Sequence, residues 1–160
     1  MRVRSTVAVV WLAALCLFIG ATRTAGADAA AEMVEREKHL QNVVDALKAR
    51  LSIPDNVSVS IVPVNKLVVS VERAKNGSPG FTLSVEDGFI QRLSDDEVGA
   101  VVAHELGHVW IYTHHPYLQT EELANEIALR LVSREQLENL YDKVWARTGT
   151  KGTLTYLPVK

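Results

Sequence analysis

His104, Glu105 and His108 stand in the run His104-Glu105-Leu106-Gly107-His108, an HExxH pattern. Residues four apart project from one face of an α-helix, so two imidazoles at that spacing can hold one metal ion between them. The glutamate beside the first imidazole then stands next to the open side of the site. With zinc as the ion, the arrangement suits hydrolysis: the metal lowers the pKa of water toward about 7 and polarises a scissile carbonyl. Glu105 is the general base in this reading, taking a proton from water and handing it to the leaving amine. Two histidines and a glutamate on an otherwise apolar helix are costly to bury unless something such as a metal satisfies them.

A third protein ligand is needed, and two residues compete for the role. Around a helix beginning after Thr120, Leu123, Ala124, Ile127, Ala128, Leu131 and Val132 fall on an arc that contains Glu121. Glu122, Glu126 and Arg130 fall opposite, so Glu121 is the carboxylate expected to point at the core. Ala124 and Ala128 are small and would let this helix approach the histidine helix closely. The competitor is His114, ten residues after His104, the third-ligand spacing of the metzincins. That pattern requires glycine where this chain has Ile111 and a methionine turn downstream, yet no methionine follows Met33. His114 and His115 fit better as polar residues at a helix C-terminus, where a cation is favoured.

The elements that must position these groups are legible in the patterning. Met33, Leu40, Val43, Val44, Leu47 and Leu51 recur at helical spacing between charges, predicting a surface helix over 32–51. Val57, Val59 and Ile61 alternate with serines, and a second β-branched segment, 67–71, follows Asn65-Lys66, so these two read as a hairpin. Residues 76–80 read as a loop and Phe81–Val85 as a third strand, giving a small antiparallel or mixed sheet. Ser94 with Glu97 forms a capping box that starts the HExxH helix, and Asp95 and Asp96 suit its first turn. Apolar residues lie almost all round this helix as far as Thr113, which predicts burial on most sides. Thr120 caps the next helix, and Ser133 with Gln136 starts another toward Trp145. A short strand is expected at Leu154–Leu157.

Arg2 and Arg4, the apolar run from Val7 to Ala21, and Ala25-Gly26-Ala27 follow one another in the order of a secretory signal. Cleavage is expected after Ala27, which places residues 28–160 as one domain in a secreted or periplasmic setting. The apolar run is shorter than the 18 or so residues of a spanning helix, so no stable membrane span is expected after cleavage. The chain carries 17 Lys and Arg against 19 Asp and Glu, a balance without the polycationic footprint of a nucleic-acid binder. Cys16 is the only cysteine and precedes the expected cleavage site, so the domain must be held by its core or a bound metal rather than by disulfides.

The stretch from Phe81 to Arg130 resembles the gluzincin metallopeptidases of the HtpX and CAAX-prenyl-protease type. The matching residues are Leu93-Ser94-Asp95-Asp96-Glu97, Val102-Ala103-His104-Glu105-Leu106-Gly107-His108 and Glu121-Glu122-Leu123-Ala124-Asn125. Asn125 stands where the membrane-bound families have Asp, and it is similar in this to the ImmA/IrrE-like peptidases. The resemblance implies one zinc ion per chain held by His104, His108 and Glu121, with Glu105 catalytic. It also implies a substrate backbone aligned on an edge strand by β-addition, for which Phe81–Val85 is the candidate.

The expected fold is therefore α+β, a minimal zincin-like domain with a small sheet packed against a buried HExxH helix and a following ligand helix. The expected function is an exported zinc metalloendopeptidase acting on a peptide or protein substrate. The alternative is a domain of the same fold that binds zinc and a partner peptide without cleaving it. Tyr117, His115 and Arg130 are the residues available to stabilise a transition state, and no sequence feature selects among them.

Overall fold

The computed structural model describes residues 10–75, 78–150, 152 and 157, with side chains from residue 26 onward. The chain divides into two compact units, residues 1–36 and 37–160. The first is described as helical backbone from Val10, its side chains over 26–35 exposed. Among the described residues no helix is long and apolar enough to cross a membrane. Of the expected strand at Leu154–Leu157, only Leu157 lies within the described residues, and it is buried.

Within residues 37–160, helix α1 (Val10–Arg50) contributes Leu40 and Val44 to the core, with Val43 and Leu47 packed against it. Three strands follow: β1 (Val57–Val62), β2 (Val69–Arg73) and β3 (Phe81–Glu86). They form a mixed sheet in the order β1-β3-β2, with β1 parallel and β2 antiparallel to β3. The expected hairpin between the first two strands is not formed; the hairpin joins β2 to β3, and β3 is central. The polar side chains of α1 account for this. Gln41 accepts from the Val59 N–H (3.0 Å) and donates to the Val57 carbonyl (2.9 Å), while Glu37 accepts from the Ile61 N–H (2.8 Å). These bonds occupy the outer edge of β1, where a second strand would otherwise pair. Phe81–Val85 is therefore not an edge strand, and the open edge is β2.

A single-turn helix α2 (Asp87–Ile90) leads to α3 (Asp95–His114), which carries the HExxH run. Its start is the expected capping box: Ser94 Oγ accepts from the Glu97 N–H and the Glu97 carboxylate accepts from the Ser94 N–H at 2.7 Å. Ala100, Val101, Val102, Ala103, Leu106, Val109 and Ile111 are buried, as a central helix requires. α3 packs on α4 (Glu121–Ala128), on α5 (Arg134–Thr148) and on β2. Thr120 caps α4 by accepting from the Leu123 N–H, and Ser133 with Gln136 forms the capping box of α5. Two ion pairs anchor α5. Arg147 donates to buried Glu86 at the end of β3 (2.6 Å), and Lys143 reaches Glu97 at the start of α3 (2.6 Å). Burial raises the Glu97 carboxyl, but bonds from Lys143 and Ser94 outweigh it and hold the group below the ordinary value.

Candidate active site

α3 and α4 can meet closely because Gly107 faces Ala124. A Cβ added at Gly107 would overlap the Ala124 carbonyl oxygen, so the two backbones approach as near as they do only with glycine at this position. The consequence is that the first turn of α4 lies across the exposed ends of His104 and His108.

Glu121 occupies that turn. Its Oε2 lies 3.2 Å from His104 Nε2 and its Oε1 lies 3.4 Å from His108 Nε2, while the two Nε2 atoms are 3.3 Å apart. A tetrahedral ion with metal–nitrogen bonds of about 2.0–2.1 Å has ligand atoms about 3.3 Å from one another. The three donors are thus spaced as neighbouring corners of such a site, and they are the one His/Glu group of this kind among the described residues. The sequence places Glu121 toward the core. The structure corrects this: the side chain is about half exposed (51 %) at the mouth of the cleft, while Ala124, Ile127 and Ala128 fill the core beneath it. Glu122 and Glu126 are exposed, as expected.

The remaining ring nitrogens are engaged by residues whose part in the site was not read from the sequence. His104 Nδ1 lies 2.9 Å from Asn125 Oδ1, and His108 Nδ1 lies 3.2 Å from Gln119 Oε1. An amide oxygen can only accept, so each imidazole donates from Nδ1 and turns its Nε2 toward Glu121 and the space between them. Asn125 is fully buried and is itself fixed by Tyr141 of α5, donating from Nδ2 to the phenol oxygen at 2.8 Å. Gln119 also donates from Nε2 to the His108 carbonyl at 3.2 Å. The usable signal for Asn125 was its place one turn after Glu121; Gln119 sits in a loop, where no periodicity marks it.

Glu105 is buried beside the pair, with the Val71 backbone N–H of β2 facing its carboxylate. Burial pushes its carboxyl above the ordinary value, against the pull of His104, His108 and the Val71 N–H. Glu121 is held well below the usual carboxylate range, first by hydrogen bonding with His104 and then with His108. Burial opposes the charged form of His108, but Glu121 and Glu105 outweigh it and raise its pKa. The site therefore combines an ionised, half-exposed carboxylate with a buried carboxyl of weaker acidity.

These groups open onto a cleft of about 720 Å³ between β2, α3 and α5, lined largely by apolar side chains such as Val69, Val71, Phe81 and Leu140. His114 lies elsewhere, stacked on Trp110 with ring centroids 4.1 Å apart. Ile111 keeps the helix running past the histidine pair, and His114 is not part of the donor group. Tyr117 is almost fully exposed, His115 is exposed, and Arg130 lies over the Trp110 ring; none of the three lines the cleft.

Comparison with known proteins bears on the fold and the family. The solved structure of the metallopeptidase zymogen of Pyrococcus abyssi abylysin superposes with a TM-score of 0.51 at 17% identity, covering 71% of this chain and 99% of that one. At that identity the likeness shows the fold. An uncharacterized protein of Aquifex aeolicus, aq_aa15, is 27% identical over 109 residues, which is 68% of this chain and 90% of the relative. The family model for peptidase family M48 matches residues 34–154, a span that contains the sheet, the HExxH helix and both helices that follow it. With three-quarters of its length matched and the expected α+β architecture present, this chain belongs to peptidase family M48.

Proposed function

We propose that the chain is an exported zinc metalloendopeptidase, related in its site to the HtpX and CAAX-prenyl-protease type. Membership of a metal-dependent peptidase family gives the broad class. The observation that supports the finer reading is the set of Nε2 and carboxylate atoms spaced 3.2–3.4 Å apart, with both imidazoles turned by Nδ1 hydrogen bonds. His104, His108 and Glu121 would hold the ion. When bound, zinc supplies a Lewis acid for the scissile carbonyl and lowers the pKa of water.

The chain's own residues do the rest. Glu105 accepts a proton from the attacking water as its oxygen bonds to the carbonyl carbon, then returns that proton to the amine nitrogen as the C–N bond breaks. A carboxylate of raised pKa is a stronger base than an exposed one, which suits the first half of the cycle. The substrate backbone is positioned by the edge of β2. Glu86 N–H donates to the Val68 carbonyl (2.9 Å) and Ala74 N–H to the Gly80 carbonyl (3.0 Å), so even-numbered residues of this ladder face β3. Val69, Val71 and Arg73 turn their backbone groups outward; the Val71 N–H meets Glu105, and the groups of Val69 and Arg73 face a chain lying in the cleft.

Export rests on Arg2, Arg4, the apolar run and Ala25-Gly26-Ala27, with the mature protein beginning at Asp28. The reading is tested by metal analysis of the purified protein and cleavage of an unstructured protein with and without chelator. One equivalent of zinc and cleavage abolished by chelator, then restored by zinc, is the expected result. Zinc binding with no cleavage in any condition would instead make it a binding domain.

A further inference from the structure

Arg73 breaks the pattern of its strand. Val69, Val71 and Arg73 share the face of the sheet on which Val85, Leu83 and Phe81, their partners in register, are buried against the helices. An apolar residue is expected at the third position, yet a guanidinium stands there, on the wall of the cleft. It is held by aromatic faces: its central carbon lies 4.7 Å from the ring centroid of Tyr112 and 5.9 Å from that of Phe81. No acidic side chain among the described residues forms an ion pair with it. A stacked guanidinium keeps its in-plane N–H donors free, and those donors match a carboxylate in a two-pronged geometry.

Its position relative to the chemistry follows from two elements. Tyr112 lies one helical turn, about 6 Å, beyond His108 along α3. Arg73 lies two residues, about 7 Å, beyond Val71, whose N–H faces Glu105. An extended substrate beside β2 covers that distance in about two residues, and a side chain opposite Arg73 on the helix-facing side would meet the guanidinium directly. Among the described residues lining the cleft, Arg73 and Glu72 are the charged ones besides His104, Glu105, His108 and Glu121, and Glu72 alternates to the other face of the strand.

We propose that Arg73 is a specificity determinant that receives a substrate carboxylate, either an acidic side chain or a free C-terminus, about two residues from the scissile bond. This rests on the peptidase reading above, and the test separates the two. The full-length, zinc-loaded protein is given quenched fluorescent peptides with an apolar core, in which Glu, Gln or Lys is scanned over four positions on each side of the cleaved bond. A second series ends in a free acid or an amide at the same positions. Affinities for both series are measured in parallel by fluorescence anisotropy on Glu105→Gln protein.

A preference of about tenfold for carboxylate over amide at one position is expected, the scale of a charge-assisted pair. Arg73→Gln should reduce the ratio below twofold. Arg73→Glu should shift the preference toward Lys at that position, which a loss of packing alone would not do, and Arg73→Lys should keep part of the ratio. The series that shows the preference identifies the carboxylate's source. Equal handling of acid and amide peptides, or a preference that survives Arg73→Gln, overturns the proposal. If no peptide is cleaved, the peptidase reading fails, and the anisotropy ratios alone decide the role of Arg73.

Discussion

Asn125 Oδ1 lies 2.9 Å from His104 Nδ1, and the same amide donates to the Tyr141 phenol oxygen at 2.8 Å. A buried side chain of α4 thereby sets the orientation of an imidazole on α3 and is itself set by α5. Asn125→Ala removes the acceptor and leaves the His104 N–H and the Tyr141 hydroxyl without this partner. Loss of such a supporting bond typically lowers metal affinity by about 10–100-fold. Zinc titration against a competing chromophoric chelator should show that loss, with Tyr141→Phe showing a smaller one. Unchanged affinity in Asn125→Ala would mean that His104 is oriented by packing alone.

In the proposed metal site Glu121 is the third donor, and its neighbours provide the controls. Glu121→Ala leaves two imidazoles, an incomplete set for zinc, so protein recovered after gel filtration should be nearly metal-free. Glu122→Ala, on the exposed side of α4, should retain its zinc. His114→Ala should also retain it, because that ring is stacked on Trp110. An emptied site in His114→Ala with a full one in Glu121→Ala would reverse the ligand assignment.

Glu105 carries opposite consequences for catalysis and for stability. Glu105→Gln should keep zinc and lose at least the ~10²-fold in turnover typical of an acid–base group. In the metal-free protein the sign is reversed. The folded pKa of Glu105 is raised above the ordinary 4.5, so its ionised form costs stability, fully so above the folded pKa. Glu105→Gln should therefore raise the melting temperature of the metal-free protein at neutral pH. The gain should fade as pH is lowered through the folded pKa toward 4.5. A melting temperature lowered by the substitution at neutral pH would contradict the burial argument.

Gly107→Ala should act on the site without touching a ligand. The added methyl collides with the Ala124 carbonyl, a backbone atom that moves only if α4 moves. Overpacking of this kind costs about 1–3 kcal/mol, and the displacement separates Glu121 from the histidine pair. Denaturant unfolding and zinc affinity should fall together. Gly99→Ala on the same helix, where an added Cβ meets nothing, supplies the comparison and should raise stability if anything.

The sequence by itself determined everything set by local chemistry and by periodicity along one element. Ser94 with Glu97, Thr120, and Ser133 with Gln136 start their helices where side-chain caps satisfy backbone N–H groups, because capping involves residues only a few positions apart. His104 and His108 share a face because four residues make about one turn. Tertiary structure decided what depends on partners distant in the chain. Gln41 and Glu37 bond the edge of β1 across about twenty residues, which exchanged the expected β1–β2 hairpin for a β2–β3 one and moved the open edge from β3 to β2. The engagement of Asn125 with His104, of Gln119 with His108 and of Arg73 with Tyr112 likewise joins elements whose approach no local pattern encodes. Alternation of apolar residues says that a strand has an inner face, but only the packing of the sheet against α3 decides which polar side chains on that face reach the cleft.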